Sequence, residues 1–170
     1  MMSARGRHSH AAPRRHAPTG VVHTLHPGDV RCANEGDRLE TLLGSCIAIV
    51  LTDPRRTIGA MCHIVYSSSA IGAAQRTSAC ADVALETLYG LLQARGITPR
   101  LCEAYVYGGG NMFPSLVRDA HVGTGNARWA LDALAEAGIR ILFDDVGGNA
   151  YRRLSWTVGP EAPSVIAVPT

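Results

Sequence analysis

Thr41-Leu42-Leu43-Gly44-Ser45-Cys46-Ile47-Ala48-Ile49-Val50-Leu51 is the stretch that decides the fold. It opens as an apolar run, breaks at Gly44-Ser45, and resumes as a β-branched run with the pattern of a buried strand. A second apolar run, Ile58 to Val65, carries His63. Asp53-Pro54 between the runs is a turn signal, so the two are expected to pair as antiparallel neighbours. Such a pair brings Cys46 and His63 close together, and a thiol beside an imidazole is the minimum kit for a thiolate nucleophile. The competing reading makes the cysteine a small buried hydrophobe and the histidine a satisfied core residue. Gly44-Ser45 weighs toward chemistry. Glycine lets the backbone approach a substrate closely, and N–H groups at such a break can form an oxyanion hole.

Outward from this stretch, composition narrows the choices. A chain of 170 residues suggests one domain with a core large enough to need no staples. All 16 basic residues are arginine, and four of them (Arg5, Arg7, Arg14, Arg15) lie in the first twenty residues, where no acid occurs. The remaining 12 arginines face 14 acids, so the body carries no excess of positive charge to suit nucleic acid. Five cysteines without CxxC spacing argue against a disulfide framework and a zinc finger, and fit a reducing cytoplasm. No apolar run has the length of a membrane span, and no apolar segment follows the first arginines as a secretory signal would.

Residues 1–20 read as a disordered Arg-rich tail, with a basic anchor as the alternative. The domain is expected over 21–170. It starts with a strand near Val21 and a turn at Pro27-Gly28-Asp29; His23 and His26 lack a third ligand nearby. Asn34 to Asp37 is a further turn. After His63, Ser67 to Ala79 reads as a long polar loop of the kind that borders sites. Helical spacing follows from Ser78, a possible N-cap, to Arg95, with Ala84, Leu88, Leu91 and Leu92 inward and Gly96 as the stop. Leu101 to Tyr107 alternates as a strand and runs into Gly108-Gly109-Gly110, a loop expected to wall a cleft. Gly123-Thr124-Gly125-Asn126 reads as a turn before a second helix, Ala127 to Ala137, which buries Trp129, Ala130, Ala133, Leu134 and Ala137. Ile139 to Phe143 reads as a strand, Asp144 to Asn149 as a turn, and Tyr151–Val158 with Ser164–Val168 as a closing hairpin. The reading is α+β: packed, antiparallel-rich sheets with about two flanking helices.

The ordered motifs resemble the CheD family of chemoreceptor glutamine deamidases. They are Leu43-Gly44-Ser45-Cys46, Ile58-Gly59-Ala60-Met61-Cys62-His63, Ala81-Asp82, Gly108-Gly109-Gly110-Asn111-Met112-Phe113, Val122-Gly123 with Asn126, and Asp145-Val146-Gly147-Gly148-Asn149. The similarity spans about Pro27 to Val168, with Cys80 where the family has an aromatic residue. It implies a cysteine-hydrolase fold shared with deamidating bacterial toxins. It implies Cys46 as nucleophile, His63 as base and acid, and a threonine that orients the histidine. Thr41 is the candidate, with Glu40 as the alternative one position earlier; neighbouring strand residues face opposite ways, so only one can face His63. Gly44, Ser45, Gly109 and Asn111 are expected at the substrate.

The implied reaction turns glutamine side chains of methyl-accepting chemoreceptors into glutamate through a thioester, and extends to glutamyl methyl esters. No metal or organic cofactor is implied. A CheC-type phosphatase is the second implied partner, and a binding regulator of that phosphatase is the alternative function. A metal site of Cys46, Cys62 and His63 is the poorest reading, because Cys62 and His63 are adjacent on a strand.

Overall fold

Six consecutive buried residues, Ile47–Thr52, form strand β4, and its two faces serve different layers. Ile47, Ile49 and Leu51 pack into one apolar cluster with helix residues, while Ala48 and Val50 pack into a second. A strand with no solvent face belongs in the middle of a layered structure, which explains why its sequence is a continuous apolar run rather than an alternation. The computed structural model describes residues 20–67, 76–119 and 121–169. The tail read over 1–20 lies outside the described residues except for Gly20, and so does 68–75 of the expected polar loop.

The central sheet has five strands in the order β2-β5-β4-β6-β7, with β2 Val30–Asn34, β5 Ile58–Ile64, β6 Glu103–Gly108 and β7 Arg140–Val146. One face carries helices α1 (Ala81–Ala94) and α2 (Val122–Glu136). The other packs on a four-stranded outer sheet, β1-β3-β8-β9, built from Val22–Leu25, Arg38–Leu43, Ala150–Thr157 and Ser164–Pro169. Most neighbours are antiparallel, but β1 runs parallel to β3 and β6 parallel to β7. Both helices therefore lie on one side, in three layers. Trp156 closes the core between the sheets. Its ring leaves no space for a side chain at Gly59, where a Cβ would sit 2.3 Å from it, and its indole N–H donates to the Glu161 carbonyl at 2.9 Å.

Several boundaries differ from the sequence expectation. Val30–Asn34 is a strand of its own, paired antiparallel with β5. Helix α1 is capped by Cys80 rather than Ser78, whose hydroxyl donates instead to the Gly28 carbonyl. Asp144 and Asp145 lie inside β7, and the turn begins at Gly147. Helix α2 starts at Val122 and so includes Gly123 to Asn126. Its glycines oppose helix formation, yet a Cβ at Gly123 would lie 2.4 Å from the Gly109 carbonyl oxygen, so close packing overrides propensity there.

Candidate active site

The strand pairing brings the sequence-predicted residues to one end of the two sheets. Beta-strands β4 and β5 pair with Ala48 opposite His63, and the ladder ends at Ile47 opposite Ile64. Cys46 lies just beyond that end, two residues from Ala48. It thus shares the face of Ala48 and His63. It packs, half-buried, against the apolar cluster between the sheets. Cys62 joins the helix-side cluster instead, so the thiol beside His63 in sequence points away from it.

Thr41 approaches from the outer sheet. On β3, Leu39, Thr41 and Leu43 are buried, while Glu40 is only partly buried and Leu42 is exposed. Glu40 accepts a hydrogen bond from Thr24 and pairs with Arg38 on the same strand. Of the two neighbours, it is the Thr41 side chain that reaches His63, while Glu40 is turned to Thr24 and Arg38. The Thr41 Oγ1 lies 2.8 Å from His63 Nδ1 and 2.8 Å from the Leu25 carbonyl oxygen.

That triangle assigns the tautomer. A carbonyl only accepts, so the one hydroxyl hydrogen of Thr41 goes to Leu25 and its oxygen must accept from His63. The hydrogen therefore sits on Nδ1, and Nε2 keeps its lone pair. His63 Nε2 is buried and has no hydrogen-bond partner among the described residues. Burial pushes the His63 pKa down to about 4, with the Asp29 carboxylate opposing weakly. Burial also raises the Cys46 thiol above its ordinary value. Both effects favour the neutral forms, thiol and imidazole. The His63 backbone is held as firmly: its N–H donates to Asp29 and its carbonyl accepts from Gly28, both at 2.9 Å.

The glycine loop locks the turn that bears Cys46. The Gly109 N–H donates to the Cys46 carbonyl at 2.8 Å, and the Gly110 N–H to the Gly44 carbonyl at 2.9 Å. Gly108 has φ +114, and a Cβ there would lie 2.1 Å from the Cys46 oxygen, so only glycine fits. Gly44 is crowded by Met112 and Tyr151. Asn111 is buried: its side chain donates to the Val117 carbonyl and accepts from the Phe113 N–H, and its own N–H donates to Gly148. Gly109 and Asn111, expected at the substrate, thus spend these groups on shaping the wall. The N–H groups of Ser45 and Cys46 make no hydrogen bond among the described residues.

Two groups at this end have contacts that the sequence does not show: Arg152, which no motif includes, and Asn126, which the motifs include without a role. Arg152, on the inner face of β8, is buried and reaches Asp145 at 2.9 Å and the Gly147 carbonyl at 2.8 Å. Asn126 of α2 reaches the Ser45 carbonyl. Nothing in local pattern marks an arginine or an asparagine as inward-facing here; only the alternation with Leu154 and Trp156 on β8 hints at the first.

Fold and site together define a layered α+β protein with a thiol, an imidazole and a tethering hydroxyl gathered where two sheets meet. The family model described as CheD, "CheD chemotactic sensory transduction", matches residues 66–160. A protein from Albidiferax ferrireducens named "Probable chemoreceptor glutamine deamidase CheD 2" is 33% identical over 138 residues, covering 79% of this chain and 80% of the relative. One from Pseudomonas fluorescens, "Probable chemoreceptor glutamine deamidase CheD", is 36% identical over 141 residues, 81% of this chain and 80% of the relative. The "Chemoreceptor glutamine deamidase CheD" of Thermotoga maritima is 33% identical over 116 residues, 68% and 72% of the two chains. The chain belongs to the CheD family.

Proposed function

We propose that this chain hydrolyses glutamine side chains of chemoreceptors to glutamate, with Cys46 as nucleophile, His63 as base and acid, and Thr41 holding His63. The relatives' names supply the reaction and its substrate. The observation that carries the residue roles is the Thr41–His63 hydrogen bond, which leaves Nε2 bare on the face that Cys46 shares.

The steps follow from the resting protonation. Nε2 takes the thiol proton as sulfur attacks the carboxamide carbon, and the new imidazolium keeps its Nδ1–H on Thr41. The N–H groups of Ser45 and Cys46, which make no hydrogen bond among the described residues, are the candidate donors for the oxyanion. The C–N bond breaks, Nε2 gives its proton to the departing nitrogen, and ammonia leaves a thioester. Water then attacks the thioester carbon, Nε2 takes its proton, and the C–S bond breaks. The proton returns to sulfur, which leaves glutamate. Protons balance among thiol, imidazole and water, and the sequence of steps calls for no cofactor. With methanol as the leaving group the same steps hydrolyse a glutamyl methyl ester.

The substrate would be a chemoreceptor's cytoplasmic helices. Phe113, Leu116 and Val122 are exposed beside the glycine loop, an apolar rim that suits one face of an amphipathic helix. No helix among the described residues is long and apolar enough to cross a membrane. We place the chain in the cytoplasm, where such receptor helices lie. A CheC-type phosphatase is the further partner that the family resemblance implies.

Intact-mass analysis of a receptor cytoplasmic fragment tests the reading. Each deamidation adds about one dalton as NH₂ becomes OH, and the mechanism requires the sulfur. Wild type is expected to shift the mass and Cys46→Ala to leave it unchanged. A shift that survives Cys46→Ala, or none with wild type on several receptors, overturns it.

A further inference from the structure

The end of the β4–β5 ladder leaves two carbonyls without strand partners, and one side chain holds both. Beyond Ile47–Ile64 the strands separate, with Cys46 at the opening. Asn126, in the second turn of α2 and 1% exposed, donates from Nδ2 to the Ser45 carbonyl at 3.0 Å and to the Val65 carbonyl at 3.0 Å. Ser45 is the residue before Cys46, and Val65 is two residues after His63. Two carbonyl oxygens facing one another repel, and a carboxamide nitrogen has two hydrogens to place between them. Its Oδ1 is buried without a partner among the described residues. A side chain that bonds only through its nitrogen fills a core site poorly, so those two bonds are what distinguishes asparagine from an apolar residue there.

We infer that Asn126 is a positioning residue: it clips the Cys46 turn to the His63 strand where their ladder ends, and so sets the separation of sulfur and Nε2. The helix supplies leverage. Gly123 lets α2 press on the carbonyls of Gly109 and Gly110, and that loop holds the other side of the Cys46 turn through the Gly109 N–H. The turn is thus gripped from both flanks, by backbone on the β6 side and by Asn126 on the β5 side. Loss of the clip lets the turn drift from His63 and lets water reach the thiol. The two consequences have opposite signs. Transfer of a proton to Nε2 becomes slower, while a thiol raised by burial alone relaxes toward its ordinary value.

The test uses the full chain with Asn126→Ala, Asn126→Ser and Leu134→Ala, the last a fully buried residue of the same helix away from the site. Deamidation of a receptor fragment gives kcat and KM, thermal melting gives stability, and iodoacetamide labelling across pH gives the Cys46 midpoint by peptide mass. Asn126→Ala is expected to lower kcat on the order of 10- to 100-fold, the scale of a misplaced catalytic group, with KM nearly unchanged. Its Cys46 labelling midpoint is expected to fall. Asn126→Ser keeps one donor and should lie between, and it is the variant to read if alanine does not fold. Leu134→Ala should melt lower with kcat and the midpoint unmoved. An unchanged kcat and midpoint in the Asn126 variants overturns the inference, as does a loss that Leu134→Ala reproduces at equal melting temperature. The inference rests on the deamidase reading only for its kcat arm. If wild type deamidates nothing, that reading fails, and the labelling midpoint alone decides for or against the clip.

Discussion

The Thr41 hydroxyl and the His63 ring meet across two sheets at 2.8 Å, and Leu25 fixes which of them donates. A hydroxyl held this way orients the imidazole without charging it. Thr41→Val keeps the shape and removes the hydrogen bond, freeing the ring to rotate and the other tautomer to form. We expect kcat to fall on the order of 10- to 100-fold, at or below the lower end of what general base catalysis contributes, because the base is misplaced and not removed. Thr41→Ser should retain most activity, and Glu40→Ala should change it little. Steady-state deamidation by the three variants is the measurement; a larger loss with Glu40→Ala would reverse the assignment.

His63 makes stability depend on pH in one direction. Its folded pKa of about 4 lies below the ordinary 6.5. Between those values the unfolded chain binds a proton that the folded chain refuses, so this contribution is complete above about 6.5 and is lost as pH falls toward 4. The scale is at most about 3 kcal/mol. Asp29, Asp37 and Asp53, all held low, weaken the fold in acid for their own reasons. The expected result is therefore a difference: urea midpoints measured at pH 7 and pH 4.5 should separate more in wild type than in His63→Gln.

Cys46 should behave as a buried thiol until substrate arrives. Its iodoacetamide labelling is expected to be slow at neutral pH and to rise only above about pH 9, the ordinary thiol value from which burial raises it. Cys62, raised to about 12, and Cys102, raised to about 11, should stay unlabelled in the folded chain. Peptide mass mapping against residual activity checks this, with inactivation expected to follow label on Cys46 and to be unaltered by Cys32→Ala. Rapid labelling at pH 6 would indicate a thiolate–imidazolium pair instead.

Two helix glycines should respond to alanine with opposite signs. At Gly90, exposed on α1, a Cβ meets nothing within 4 Å, so Gly90→Ala should stabilise by about 0.5–1 kcal/mol. At Gly123 the same propensity gain is opposed by backbone oxygens of Gly109 and Gly110 at 2.4 and 2.7 Å, which cannot swing aside. Overpacking of that kind costs about 1–3 kcal/mol and wins. Thermal melting of both variants is the check, and Gly123→Ala should also slow turnover by shifting the loop behind Cys46.

The parts legible in the sequence are those where one physical effect acted alone. Ile47 to Leu51 and Ile58 to Ile64 are apolar because both faces are buried, and their pairing follows from the Asp53-Pro54 turn. The closing hairpin of β8 and β9 reads from alternation. Legibility failed where tertiary contact overrode local preference. Gly123 to Asn126 look like a turn, yet the glycine loop admits a helix there only if it lacks a Cβ. Asp144 and Asp145 look like a turn because strands avoid aspartate, but β7 is an edge with its acids exposed or paired to Arg152. Within the site, Cys46 and His63 stand out from the Gly-Ser break and the second run. Thr41 is the candidate from the resemblance, and Leu39 and Leu43 on its own face favour it over Glu40, but exposed Leu42 blurs that alternation and leaves Glu40 as an alternative. Asn126 stands among the ordered motifs, but its role does not read from them, since a buried bond to two distant carbonyls has no sequence spacing.

Strand β4 sorts its side chains by odd and even number, odd toward the helices and even toward the outer sheet. The reactive thiol's address is therefore a matter of parity. Removing one residue from the bend between Leu43 and Cys46 would have to be absorbed by the bend itself, or Cys46 would trade places with Ile47 and vanish among the helix contacts. Insertions and deletions in that short bend should consequently be far less tolerated than substitutions, even though it is neither helix nor strand.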